Sequence, residues 1–268
     1  MTRVNSLRRR IGWLIHCYKA VFRNYHYQLL PLFPILIKPG DLVIDVGAHV
    51  GQLSKIFSRN TRAGLVLSLE PASYPYSILQ IVKFLHKLSI VKTIKMGISV
   101  KQGEASLHTP VKSSGVVRFG LSQINNDGSD DNGNTVLKET ISVTTIDKLT
   151  KQFAHDYTLS LIKADIEGYE YQMLCGAEHS IEQHKPSLLI EISVNRNEIL
   201  EFLWQRDYLV FGLLNYSGKS HEKLELIRIA DIDSKQIRNV LAVHSSKKDL
   251  LDSLYDNFPV HEEPSEAP

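Results

Sequence analysis

A strand, a glycine-bearing turn and a helix start follow one another directly at residues 42–57, and nothing else in the chain restricts its fold as strongly. Leu42, Val43 and Ile44 form a short apolar run. Asp45-Val46-Gly47-Ala48-His49-Val50-Gly51 come next, and residues 52–57, starting at Gln52, read as the first turns of a helix. Such a turn aims backbone N–H groups and the positive end of a helix dipole at a ligand. A dinucleotide fold wants G-x-G-x-x-G there, so that backbone can close on a pyrophosphate. The spacing here is G-x-x-x-G, and Asp45 sits two positions before the first glycine. That carboxylate repels a pyrophosphate. It suits a ligand with a positively charged amino group, such as the methionine end of S-adenosylmethionine. A tight strand-to-helix turn with no ligand is the plain alternative.

A second carboxylate falls where such a ligand needs one. Residues 65–69 form a second strand candidate, Glu70 ends it, and Pro71 stops it. An acidic residue about twenty positions after the glycine turn can accept hydrogen bonds from both ribose hydroxyls. The alternative is a solvated carboxylate at a strand end.

Further along, residues 74–87 carry apolar side chains at helical spacing and residues 90–96 read as a third strand, ending at Gly97. Residues 105–109 suit a short extra strand. Residues 125–134 are nearly all Asn, Asp, Gly and Ser, which predicts a mobile loop. Asp127, Ser129 and Asp131 mimic a calcium loop, but Asn132 and Lys138 stand where its Gly and closing Glu belong, so calcium is rejected. Strands are expected at 139–144, 159–164, 187–192, 208–214 and 240–244. Helices are expected at 146–149, capped by Thr145, at 169–175, ended by Gly176, and at 197–206. The alternation predicts a doubly wound α/β domain.

Composition, 43% hydrophobic and 22% charged, is that of a globular domain, and a net charge of +2 gives no general attraction to nucleic acid. Cys17 and Cys175 make no metal or CxxC pattern, and a reducing compartment is the simplest reading. Charge is nevertheless segregated. Before Asp41 there is no acidic residue, yet Arg3, Arg8, Arg9, Arg10, Lys19, Arg23 and Lys38 occur. The apolar run over residues 11–22, interrupted by His16 and Lys19, is too short to span a bilayer, and residues 6–24 read as an amphipathic helix. It either packs on the domain or rests on an anionic membrane surface. The expected organisation is a basic helical segment over 1–38, a catalytic domain over 39–258 and a disordered acidic tail over 259–268. Asn215-Tyr216-Ser217 fits a glycosylation sequon, which is discounted because the broken apolar run at residues 11–22 does not read as a signal peptide. A cytoplasmic location is expected, with peripheral membrane contact as an option.

The second loaded segment is Ile162-Lys163-Ala164-Asp165-Ile166-Glu167-Gly168-Tyr169-Glu170. In an open α/β sheet, ligands bind beyond the carboxyl ends of the strands. Asp165, Glu167 and Glu191 would gather there, beside the Asp45 turn. Lys163 shares a strand face with Asp165 and needs a carboxylate partner, for which Asp165 or Glu191 is available.

These pieces together resemble the FkbM family of S-adenosylmethionine-dependent methyltransferases. The resemblance rests on the Asp45–Gln52 turn, Leu69-Glu70-Pro71, Val143-Thr144-Thr145-Ile146-Asp147-Lys148-Leu149, the 162–170 segment, Leu174-Cys175-Gly176-Ala177 and residues 186–191. It spans roughly residues 39–243. The family often has Asn where this chain has His49. The resemblance implies the class I methyltransferase sheet, seven mostly parallel strands with the last antiparallel. It also implies O-methyl transfer to a hydroxyl of a sugar, glycan or polyketide-like small molecule. Asp45, Gly47, Ala48, His49, Gly51, Gln52, Glu70, Pro71 and Gly97 are then the expected cofactor residues. Asp165 is the first choice of base, with Glu167 and Glu191 as alternates; the same three carboxylates could instead hold magnesium. Two rival readings stand beside this one: an NAD-dependent oxidoreductase, and a non-catalytic membrane-associated scaffold. No nucleic-acid partner is expected, and the oligomeric state is open.

Overall fold

The computed structural model describes residues 3–23, 25–111, 122–125, 136–216, 222–232 and 237–262. In chain order these form α1 (Arg3–Phe22), α2 (Phe33–Leu36), β1 (Leu42–Val46), α3 (Gln52–Thr61), β2 (Leu65–Leu69), α4 (Ser73–Leu85), β3 (Val91–Ile94), β4 (Gly97–Ile98), β5 (Gly103–Pro110), β6 (Gln123–Asn125) and β7 (Val136–Thr144). There follow α5 (Ile146–Phe153), β8 (Leu159–Ala164), α6 (Glu170–Cys175), α7 (Glu178–His184), β9 (Ser187–Glu191), α8 (Arg196–Trp204), β10 (Tyr208–Leu214), β11 (Glu225–Ile229), β12 (Asn239–His244), α9 (Lys248–Asn257) and β13 (Val260–Glu262).

The main sheet runs β13-β11-β10-β12-β9-β8-β1-β2-β3. Its strands β3, β2, β1, β8 and β9 are parallel, and β12 enters antiparallel between β9 and β10. This is the class I methyltransferase order, with the seventh strand reversed. β1 lies inside the sheet between β8 and β2 and is buried along its whole length, as a strand covered on both faces must be. Apolar clusters fill the two layers between sheet and helices.

Three expectations change. First, the sheet has nine strands among the described residues, because β11 and β13 extend it beyond β10. Leu226, Ile227 and Ile229 of β11 are all buried, so this strand is covered on more than one face and shows no clean alternation for the sequence to reveal. Second, residues 260–262 pair with β11, so the segment after Pro259 starts as an edge strand rather than a disordered tail. Third, the expected strands at 105–109 and 139–144 leave the main sheet. They form a second, four-stranded sheet in the order β4-β7-β5-β6. That small sheet has its own core of Ala72, Leu107, Ile141 and Val143. Ser73 N and Oγ donate to Glu139, and Lys95 pairs with the same carboxylate, which pins β7 to the start of α4. Most of the 125–134 loop and its calcium-like positions lie outside the described residues, as do Ser217 of the sequon and residues 263–268.

Thr145 caps α5 as its sequence position predicts, its Oγ1 accepting from Lys148 N at 3.0 Å. Gly176 does follow α6, though not by adopting a left-handed turn. Its φ is −80°, and a Cβ there would lie 2.3 Å from Ser99 O, so close backbone approach requires the glycine. Helix α1 forms over nearly the expected span. Cys17, Ala20 and Val21 pack on Ile78 and Val82 of α4, and Trp13 Nε1 donates to Ser77 Oγ at 3.0 Å. Among the described residues no helix is long and apolar enough to cross a membrane.

Candidate active site

The carboxyl ends of β1, β2, β8 and β9 open into a cavity of about 260 Å³. Each expected site residue except Gly51 lines it: Asp45, Gly47, Ala48, His49, Gln52, Glu70, Pro71 and Gly97 on one side, Asp165, Glu167 and Glu191 on the other.

Strand register builds the floor. Asp45 stands opposite Lys163 of β8 and Ser68 of β2. Lys163 Nζ lies 3.6 Å from Asp45 Oδ1 and 3.9 Å from Asp165 Oδ2, and it donates to Gly47 O at 3.0 Å. The buried lysine therefore finds its nearer carboxylate in Asp45, not in Asp165 or Glu191. Ser54 Oγ donates to Asp45 Oδ2 at 2.7 Å. Burial pushes the Asp45 carboxyl up, and Lys163 pulls it down. Asp45 Oδ1 is buried and accepts no hydrogen bond, although it borders the cavity.

The glycines act in different ways. Gly47 has φ +72°, and a Cβ there would sit 2.0 Å from Asp165 O, so only glycine lets the β1 turn meet the end of β8. Gly51, also left-handed, precedes α3 and leaves room for Leu79 of α4. Gly97 borders the cavity inside β4, where its missing side chain makes space for Ile124, Ile141 and Val143 of the second sheet.

Glu70 grips the turn. His49 N donates to its Oε2 at 2.9 Å and Ala72 N to its Oε1 at 2.8 Å. Burial nevertheless raises the carboxyl to about 7, against the pull of those two donors. Each oxygen keeps a second lone pair for a hydroxyl.

On the opposite side, Glu167 takes a left-handed backbone, φ 49°, beside Gly168 at φ 101°. Gly168 N donates to both oxygens of the fully buried Glu170 at 3.0 Å, which fixes this loop at the start of α6. Burial, with Asp165 and Glu191 close by, raises Glu167 to about 7, and Glu191 is raised by burial and by Asp165.

Sequence reasoning missed three residues here. Arg238 Nη2 lies 3.1 Å from Glu191 Oε1 and 3.9 Å from Glu167 Oε2, and so balances the acidic side. Its position follows from topology: β12 runs backward, so the residue before it lands at the carboxyl end of β9, where Asn239 pairs with Glu191. His26 and Tyr216 also line the cavity, with His26 Nδ1 2.5 Å from Tyr216 Oη. Burial, then Lys163, lowers His26 to about 4, so its imidazole is neutral at pH 7. No local pattern announces that pair. Among the described residues no group of three or more His, Cys, Asp or Glu side chains is placed to hold a metal ion, and Arg238 stands against two of the three carboxylates once considered for that role.

A family model described as the methyltransferase FkbM domain matches residues 45–210. The chain belongs to the FkbM methyltransferase family. The match begins at the turn aspartate and ends within β10, a shorter span than the resemblance read from sequence. Solved structures with a similar course include an FkbM methyltransferase from Methylobacillus flagellatus KT, at 17% identity and a TM-score of 0.48, covering 90% of this chain and 60% of that one. A precorrin-6y C5,15-methyltransferase from Geobacter metallireducens GS-15 aligns at 11% identity and TM-score 0.42, over 83% of this chain and 92% of that one. The N-terminal domain of human METTL16 in complex with SAH aligns at 11% and 0.39, over 77% and 62%. This chain thus spans about three-fifths of the FkbM structure it matches. No curated protein matches it.

Proposed function

We propose that this FkbM-family chain is an S-adenosylmethionine-dependent O-methyltransferase acting on a hydroxyl of a sugar, glycan or polyketide-like small molecule. The observation that carries the reading is one cavity with two unlike acidic sides. One holds the Asp45 turn and Glu70; the other holds Glu167 and Glu191 with their arginine. Asp45 Oδ1, ion-paired with Lys163 at 3.6 Å but accepting no hydrogen bond, fits a ligand that brings donors of its own. Glu70 keeps lone pairs for ribose hydroxyls, and Met96, Ile98 and Leu107 offer apolar contact for a flat base. The cofactor, when bound, supplies a methyl group on a positively charged sulfur.

The chain's own contribution is orientation and proton handling. An acceptor hydroxyl is a weak nucleophile and gains from a base whose pKa lies near the working pH. Glu167, raised to about 7 and half-buried, meets that condition. Asp165, the first choice from sequence, is partly exposed and paired with Lys163. The reading therefore gives proton acceptance to a Glu167 oxygen, with Arg238 and Glu191 setting its position.

Titration calorimetry tests the cofactor half. S-adenosylhomocysteine should bind and NAD should not. Glu70→Gln should weaken binding by about tenfold to a hundredfold, the range for a charged acceptor worth about 1–3 kcal/mol. Absence of heat with either sulfur compound overturns the reading. Methyl transfer to a panel of free hydroxyl acceptors tests the other half.

A further inference from the structure

Helix α1 has two apolar faces, and among the described residues only one of them is packed. Cys17, Ala20 and Val21 face α4. Ile11, Leu14, Ile15, Tyr18 and Phe22 are all exposed, with Leu14 at 59%, Tyr18 at 62% and Phe22 at 68%. At 100° per residue these five fall within a stripe about 100° wide, the width of a helix face made for burial. Tyr18 and Phe22 stack on each other, ring centroids 5.0 Å apart. His86 Nε2 meets Val21 O at 3.0 Å, so the ends of α1 and α4 coincide. Phe84, 79% exposed, lies at that same end.

The charge around the stripe identifies what it meets. Residues 1–40 hold seven Lys and Arg and no acid, while the remainder of the chain holds 24 basic against 29 acidic residues. Lys19 on α1 and Arg23 just past its end are both exposed. A second copy of this chain docking here about a two-fold axis would set like charge against like. An anionic lipid surface has the opposite charge and an apolar layer to receive the rings.

We propose that α1 is an interfacial helix that lays its Ile11–Leu14–Ile15–Tyr18–Phe22 face into an anionic bilayer. The anchoring is firm on the protein side. Lys55 Nζ and Gln52 Nε2, both on α3, donate to Ala20 O at 2.8 and 3.1 Å, closing the helix end with a cation. Four residues past Phe22, His26 lines the cavity. The docking itself does not depend on the methyl-transfer reading.

Vesicle co-sedimentation of the full chain tests this. Vesicles of phosphatidylcholine alone are compared with vesicles containing one-third phosphatidylglycerol, at low and high salt. The anionic vesicles should bind at least tenfold more protein, and salt should reverse much of the gain. The triple variant Leu14→Gln/Tyr18→Gln/Phe22→Gln changes only exposed side chains. It should lose at least tenfold in vesicle binding while keeping the wild-type melting temperature. Equal binding of wild type and variant, or no preference for the anionic lipid, overturns the proposal. So does light scattering that shows a dimer abolished by the same variant, since the face then belongs to a second copy.

Discussion

Lys163→Met strands a carboxylate in the interior of the sheet. Asp45 is fully buried, and among the described residues the hydrogen-bond donor left to it after the substitution is Ser54 Oγ. At 3.6 Å and an effective dielectric of about 20, the lost attraction is about 4–5 kcal/mol. That agrees with the ~3–5 kcal/mol observed when one partner of a buried pair is removed. Such a loss is a large part of a domain's total stability of about 5–15 kcal/mol. Asp45→Asn is milder, because Lys163 keeps the carbonyls of Val46 and Gly47 and the partial charge of Asp165. The double variant removes both charges, so its cost should fall well below the sum of the single costs. Urea unfolding monitored by circular dichroism measures all three. The penalty also has a pH sign. Burial already holds the Asp45 carboxyl above its ordinary value, and removing the cation raises it further. Below the ordinary carboxylate range Asp45 is neutral in both folded and unfolded chains, and the penalty disappears. It grows as pH rises from that range toward the raised folded value. A Lys163→Met protein too unstable at neutral pH should therefore recover in acid, where it is measured. Additive single costs, or a penalty of under about 1 kcal/mol at pH 7, refute the assignment of the pair.

If Glu167 accepts the acceptor's proton, turnover rises with pH through about 7, the value to which burial and its acidic neighbours lift it. Arg238 pulls that value down, so Arg238→Ala should move the limb to higher pH; an unmoved profile assigns the base elsewhere. Gly47→Ala forces a side chain onto a φ of +72° and within 2.0 Å of Asp165 O. It should cost more than about 1 kcal/mol from backbone conformation alone and abolish S-adenosylhomocysteine binding, so wild-type calorimetry from this variant would contradict the account of the turn.

What the sequence disclosed was whatever is written in neighbouring residues. The Asp45–Gly51 turn, the Thr145 cap and the apolar strand runs depend on local chemistry, and all are found where the pattern put them. Of the partners of Lys163, Asp165 was legible but the nearer one, Asp45, was not, because it follows from register: Asp45 and Lys163 are opposite each other on adjacent strands 118 positions apart in the chain. Arg238 needed the direction of β12, and a reversed strand has the same composition as a forward one. The second sheet was invisible for a related reason. β5 and β7 read as ordinary strands, and only their partners reveal that they left the main sheet. Lys248–Asn257 went unread although Leu251 and Leu254 mark its buried side.

The cavity wall formed by His26 and Tyr216 has a further consequence. Both residues fall outside residues 45–210, the stretch that the family model recognises. They come from opposite ends of the chain and meet across 190 positions. Kinship is thus inscribed on the strand ends that carry Asp45, Glu70, Asp165, Glu167 and Glu191, while His26 and Tyr216 add a stretch of wall that kinship does not describe. Substitutions at those two positions would reshape that wall while leaving every strand end of the recognised stretch as it is.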